Sequence, residues 1–294
     1  MYIRNFTYLE PKTIEEALAM KANLGIKSSI IAGGTDLLIK MKHHSINPDF
    51  VIGLNSIPDL DYIKINTDNE LVIGTMAKLT SIEESNEIKN YFPALAHSAS
   101  VTATVQIRNM GTLVGNICNA SPSADNATPL LAYDAKVVIM NQSGNRIVAM
   151  DEFFKGPGKS ALETGEIVKE FILPVPSKMT GSSYQKVSTR SKVDIAGICV
   201  SALISLDKDG KIAKARIALG AVAPIPFRVY KAEELLIGKI PNIELLKEAS
   251  KIAREESTPI SDMRSSADYR KAMVEVLTFR VLEASIQSAT KKKN

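Results

Sequence analysis

Three stretches of the 294-residue chain bring together residue types that could hold a ligand. The first is Ile31-Ala-Gly-Gly-Thr-Asp-Leu-Leu38, where two glycines stand between a short apolar run and a helical pattern. Glycines at such a junction let the backbone approach a ligand closely, and free N–H groups at a helix start favour an anion such as phosphate or pyrophosphate. The spacing is not Gly-x-Gly-x-x-Gly and lacks the P-loop lysine, which excludes the Rossmann and Walker readings. A plain Gly-Gly turn is the alternative.

The second stretch runs from Gln106-Ile-Arg-Asn109 through Gly111-Thr-Leu-Val-Gly-Asn116 and Ile117-Cys-Asn-Ala-Ser-Pro-Ser-Ala-Asp125 to Ala127-Thr-Pro-Leu130. It reads as an ordered loop of small and polar residues, and a loop of that length is normally functional. Its side chains and N–H groups could satisfy a polar ligand of many atoms, with Asp125 accepting from ribose or ribityl hydroxyls. The alternative is a surface loop held by Asx and Ser/Thr turns. The third stretch, Tyr184 to Ala196, sets Lys186 and Arg190 ahead of a buried strand. A cation near a flavin's pyrimidine edge would stabilise the reduced ring; an ordinary surface lysine is the alternative. His43, His44 and His97 lack metal-ligand spacing, and no Gly-x-Ser-x-Gly, Cys–His or paired-carboxylate pattern offers a nucleophile or general acid.

The elements that must position these stretches change character along the chain. Up to residue 56 the pattern alternates strand and helix: Thr13-Ile-Glu-Glu16 is a capping box, Ser29–Ala32 and Phe50–Leu54 are apolar runs, and Thr35–His43 is helical, which implies a small parallel sheet. From 57 to 176 short strands dominate, at Leu71–Thr75, Lys136–Met140 and Arg146–Met150. Helices are expected near Thr80–Glu84, capped by Thr80, and over Ala94–Ala103. Pro174-Val-Pro176 is a linker. In 177–294, Ile198 to Leu206 alternates as a half-buried antiparallel strand, turns at Asp207–Gly210 and returns over Ile212–Leu219. A helix then carries Val274, Leu277, Val281 and Ala284, and Lys291–Lys293 is a solvated tail.

Composition bounds the function. With 45% apolar and 23% charged residues the chain is an ordinary globular protein, and a net charge of +4 is too mild for a nucleic-acid binder. Two cysteines exclude a disulfide framework, a Cys-ligated zinc site and an iron–sulfur cluster held by this chain. No signal-like or membrane-spanning run is present, so a soluble cytoplasmic protein is expected.

Ile31–Leu38, Gln106–Asn116, the Ser-x-x-Asp ending at Asp125, and the run from Lys186 through Arg190 to Asp194-Ile-Ala196 together resemble the FAD-binding subunit of molybdenum hydroxylases. Within that family the stretches Gly115–Lys136, Gly156-Pro-Gly-Lys159 and Arg264–Arg270 most resemble bacterial xanthine dehydrogenases. Val114 departs from the pattern, standing where the family has glycine. The resemblance implies an α+β fold of the vanillyl-alcohol-oxidase, p-cresol-methylhydroxylase type. Two FAD-binding α/β subdomains (1–56 and 57–176) precede a C-terminal α+β domain (177–294) with a three-stranded antiparallel sheet. It implies non-covalent FAD, with Ile31, Ala32, Gly33, Gly34, Thr35 and Asp36 around the pyrophosphate. Gly111, Thr112, Val114, Gly115, Asn116, Asn119 and Asp125 would face phosphate, ribose and ribityl. Thr102, Ala103, Val168 and Lys186 would complete the contacts. The implied partners are a small 2Fe-2S subunit and a large molybdopterin subunit, in a dimer of heterotrimers. The implied activity is that of a xanthine dehydrogenase-like oxidoreductase subunit of purine metabolism, acting on CH or CH2 groups and passing electrons through FAD to NAD+ or another acceptor. A stand-alone flavin oxidoreductase of the same fold, or a nucleotide-binding module without redox function, are the competing readings.

Overall fold

A computed structural model describes residues 2–191 and 193–291. Three larger sheets follow one another along the chain, with a two-stranded ribbon, Phe154–Gly156 and Lys159–Ser160, between the strands of the second. The first is parallel throughout, with Phe50–Gly53 between Thr7–Leu9 and Ser28–Ile31. Its crossover helix, Ile14–Leu24, starts as the capping box requires: Thr13 Oγ1 accepts from the Glu16 N–H at 3.2 Å. Glu16 reaches back to the N–H of Lys12, one residue earlier than the motif's usual partner.

The second sheet is antiparallel, in the order Ile63–Ile65, Glu70–Gly74, Ile167–Pro174, Lys136–Asn141, Gly144–Ala149. Its strands share a core with the helices Leu79–Glu84, Pro93–Ser100, Leu113–Cys118 and Ala127–Ala132. The expected Thr80 cap is wrong: Lys78 holds the N-cap position, while Thr80 lies inside the helix and donates its hydroxyl to Asn109 Oδ1 at 2.6 Å. The expected long loop from Gln106 to Leu130 is also corrected. It is three short helices, Val105–Arg108, Leu113–Cys118 and Ala127–Ala132, joined by tight turns. The polar residues there serve as caps: Thr104 and Thr112 each accept from the N–H three residues on.

The third sheet has three long strands, Thr180–Val187, Ile198–Leu206 and Ile212–Gly220, with the two-residue strand Phe227–Arg228 at its edge. Ile198–Leu206 is buried at all nine positions, not half-buried. Ile198, Val200, Ala202 and Ile204 face the helices Ile243–Glu256 and Ala267–Lys291, whereas Cys199 and Leu203 join the core of the second sheet. The serines that read as a wet face are satisfied by the neighbouring strand: Ser201 donates to the Ser183 carbonyl at 3.1 Å, and Ser205 bonds Thr180 at 2.7 Å. The last helix buries Val274, Leu277 and Val281 as expected, with Ser285 taking the place foreseen for Ala284. Of the basic tail, Lys291 ends that helix and the rest lies outside the described residues.

Charge also fastens the third sheet to the second. Asp134, at the turn before Lys136–Asn141, binds Lys214 at 2.7 Å, Arg216 at 2.8 Å and Arg228 at 2.9 Å. Burial alone would raise the Asp134 carboxyl, but the bonds from Arg216 and Lys214 outweigh it and hold the group below its ordinary value. A carboxyl depressed in the folded state stabilises fully above its ordinary value of about 4 and loses that contribution as pH falls through the folded value. Asp134→Asn is therefore expected to lower the urea unfolding free energy at neutral pH by about 2 kcal/mol, since it leaves three cations under-compensated. The difference from wild type should shrink as pH falls below the ordinary carboxylate value and be lost once the folded Asp134 carboxyl is protonated. Equal stability at neutral pH would mean that the cluster is no more than a solvated ion pair.

Candidate functional site

The carboxyl end of Ser28–Ile31 opens onto a cavity of about 460 Å³, within the range of roughly 300–1,000 Å³ usual for small-molecule sites. One wall is the turn Ile31–Asp36, leading into the helix Leu37–Lys42. Gly33 fits only because it has no side chain: a Cβ there would lie 2.0 Å from the Met110 carbonyl oxygen and 2.8 Å from Gly111 Cα. Gly34 has φ +71°, the left-handed region where glycine avoids the cost of a Cβ. The backbone N–H groups of Gly33, Gly34, Thr35 and Asp36 have no acceptor among the described residues, and Thr35, Asn119 and Ser123 make no side-chain hydrogen bond there either.

The opposite wall is Gly111–Asn116 with Asn119–Asp125. A two-way backbone bridge pins it: Leu79 N–H to the Gly111 carbonyl at 2.9 Å, and Leu113 N–H to the Ala77 carbonyl at 3.1 Å. Val114, second in its helix, both lines the cavity and packs in the core. Asn126 ties this wall to the next. It is fully buried, accepts from Ser98 Oγ at 2.9 Å, and donates to Thr102 Oγ1 and Asn116 Oδ1, each at 3.2 Å. Thr102 and Ala103 thus line the cavity beside Asn116. Leu162, Glu166, Ile167 and Val168 close the far side, and Val193, Asp194 and Ile195 add an edge from the third sheet's first loop.

Of the seventeen residues that the sequence singles out, all but Lys186 line this cavity. Lys186 sits behind the wall, where its ammonium donates to Asp125 Oδ2 at 3.1 Å and to the carbonyls of Val101 and Asp194 at 2.7 and 3.1 Å. Asp125 Oδ1 accepts from the Tyr184 hydroxyl at 2.5 Å. Burial pushes the Asp125 carboxyl up while Lys186 pulls it back. The Tyr184 phenol is driven upward by burial and by Asp125. Glu166 is clamped by Arg146 through two bonds of 2.7 Å, which hold it below its ordinary value. Burial raises the Cys118 thiol to about 12, so it is no nucleophile at neutral pH. Asp125, Glu166 and Cys118 are thus committed to structure, whereas Asp36, pushed up by burial and drawn back by Lys40, makes no side-chain hydrogen bond among the described residues. No group of three or more His, Cys, Asp or Glu among the described residues could hold a metal ion.

The sequence assigns no role to Asn126, Cys118, Glu166 or Val193–Ile195, although Cys118 and Val193–Ile195 lie inside stretches it marks. Nothing marks Asn126 except its place after Asp125, and Glu166 gains meaning only from Arg146 across the sheet.

Residues 4–176 match the family described as the FAD binding domain in molybdopterin dehydrogenase, and residues 183–285 match the CO dehydrogenase flavoprotein C-terminal domain. The xanthine dehydrogenase FAD-binding subunit of Escherichia coli O157:H7 is 34% identical across 96% of this chain and 97% of its own. The chain belongs to the FAD-binding medium subunits of the molybdenum hydroxylases. Another relative, the carbon monoxide dehydrogenase medium chain of Hydrogenophaga pseudoflava, is 31% identical over 95% of this chain and 96% of its own. A solved structure of reconstituted CO dehydrogenase from Oligotropha carboxidovorans superposes with a TM-score of 0.94 at 30% identity, covering 98% of this chain and all of that one. The cofactor of this medium subunit is FAD, and the cavity suits it: free N–H groups at a glycine turn match a pyrophosphate, and unpartnered Thr, Asn and Ser side chains match hydroxyls.

The glycine turn yields a direct test. Gly33→Ala should already force the two walls apart and release FAD, with a cost of about 2 kcal/mol from backbone displacement. Gly34→Ala meets only the flexible Ile31 Cδ1 at 3.0 Å and should cost about 1 kcal/mol while keeping most of the FAD. Flavin content after gel filtration, with the melting temperature, checks the order; equal FAD retention in both variants would make the turn a simple reversal of the chain.

Proposed function

We propose that this chain is the electron-transfer subunit of a xanthine dehydrogenase-like complex. Its partners are a small 2Fe-2S subunit and a large molybdopterin subunit, assembled as a dimer of heterotrimers in the cytoplasm, and the final acceptor is NAD+ or another electron acceptor. The activity belongs with oxidations at CH or CH2 groups of purines. FAD, when bound, would supply the redox chemistry between an electron donor and an acceptor. The division into 1–56, 57–176 and 177–294 belongs to the same reading.

The chain's own residues bind and orient. Gly33 to Asp36 offer N–H groups to the pyrophosphate, and Gly111, Thr112, Gly115, Asn116 and Asn119 form the phosphate and ribityl wall. Asp125, held by Lys186 and Tyr184, keeps lone pairs free for a hydroxyl, because a carboxylate can accept about four bonds. Ile31, Ala32, Thr102, Ala103, Val114 and Val168 give the apolar and backbone surface on which the cofactor rests.

The observation that carries this reading is the state of the cavity's ionisable groups. Asp125 and Glu166 are both committed to cations, and the Cys118 thiol stays protonated. Of the lining carboxylates only Asp36 makes no side-chain hydrogen bond or ion pair among the described residues, and it stands at the end of the glycine turn proposed to hold the pyrophosphate. The others are tied up in structure, which favours electron transfer over the stand-alone oxidoreductase. No helix among the described residues is long and apolar enough to cross a membrane.

Acid precipitation is expected to release yellow FAD into the supernatant, one per chain. FMN in that supernatant, or colour retained on the pellet, would contradict non-covalent FAD. Under anaerobic conditions xanthine should leave the spectrum of the isolated chain unchanged and bleach it only once the two partner subunits are added, whereas NADH should bleach it directly. Bleaching of the lone chain by xanthine would instead establish the stand-alone reading.

A further inference from the structure

Ala103 stands at φ +51°, in the left-handed region that alanine enters only at a cost. It lines the FAD cavity, and nothing in its own side chain favours that conformation. What holds it is a side chain outside the lining. Arg108, buried in the helix Val105–Arg108, donates from Nη1 to the Ala103 carbonyl at 3.0 Å and to the Thr102 carbonyl at 3.4 Å. Its Nε donates to Glu83 Oε2 at 2.8 Å, so the guanidinium is oriented from the helix Leu79–Glu84. Bonds from a charged donor are stronger than neutral ones, enough to outweigh the left-handed penalty of one alanine.

The consequence follows from peptide planarity. Drawing the Thr102 and Ala103 carbonyls toward one guanidinium turns the N–H groups of Ala103 and Thr104 the other way. Neither N–H has an acceptor among the described residues. We propose that Arg108 is a positioning residue for FAD: its bonds keep Ala103 left-handed and so present the N–H of Ala103, a lining residue, to the bound dinucleotide. The proposal rests on FAD as the cofactor, and it assigns a function to a side chain that never touches the cavity.

The test is a titration of the full-length apo chain with FAD, followed by quenching of flavin fluorescence, with melting temperature measured in parallel. Arg108→Gln is combined with Glu83→Gln so that no unpaired carboxylate remains. This pair is expected to weaken FAD binding by about tenfold, the loss of a charged bond to two carbonyls. Adding Ala103→Gly removes the left-handed penalty and should recover roughly fivefold of that affinity. A merely structural arginine would give no such recovery, because glycine only loosens the chain. Should the double variant not fold, Arg108→Lys, which keeps the charge but loses the planar fork, is expected to show a smaller loss with the same glycine rescue. Unchanged affinity in the arginine variants, or a loss that glycine does not restore, would overturn the proposal. A wild-type chain that takes up no FAD would overturn the cofactor assignment and this proposal with it.

Discussion

A β-carbon at Gly33 would stand 2.0 Å from the Met110 carbonyl oxygen, so the turn after Ile31 and the turn before Thr112 meet backbone against backbone. This approach joins the end of a parallel strand to the helical layer over the antiparallel sheet. Ligands of open α/β sheets bind beyond the carboxyl ends of the strands, and here the helical layer over the antiparallel sheet supplies the opposite wall. The bridge from Leu79 and Leu113 to the backbone of Gly111 and Ala77 keeps that wall from yielding. Every other feature of the cavity is arranged around this contact.

Three ion pairs near the cavity are set behind its surface. Lys186 with Asp125, Arg146 with Glu166, and Arg108 with Glu83 each tie two segments distant in sequence, and in each pair one member is almost wholly buried. Removing a single partner from such a pair strands the other in a poor solvent, which is more damaging than removing both. The arrangement therefore favours fixed geometry over reactivity. A scaffold for a cofactor that brings its own chemistry needs rigid walls and no competing acid or base.

Local signals carried much of this architecture. The Thr13 box, the glycine turn and the strand–helix–strand alternation act within a few residues, and each is found where the sequence places it. Thirteen cavity residues were readable because small and polar residues crowd two short stretches, while Thr102, Ala103 and Val168 came from the family resemblance alone. Long-range partners were not readable. Lys186 looked like a solvent-facing cation or a flavin contact, yet its carboxylate partner lies 61 residues away. Cys199, Ser201 and Ser205 looked like a wet strand face because small polar residues are neutral to burial once a neighbouring strand takes their hydroxyls. The polar run after Gln106 read as loop because capping residues and loop residues have the same composition.

The cavity takes its walls from segments near residues 31, 112, 167 and 194, which span more than half of the chain. Lys186, which anchors Asp125, lies on a strand whose partner, Ile198–Leu206, is buried on both faces. During synthesis the first two walls emerge from the ribosome long before the strands that complete them. A nascent chain released early has half a cradle and an uncovered sheet face. The cradle is complete only when segments far apart in the chain have come together, so holding the cofactor is tied to late events of folding.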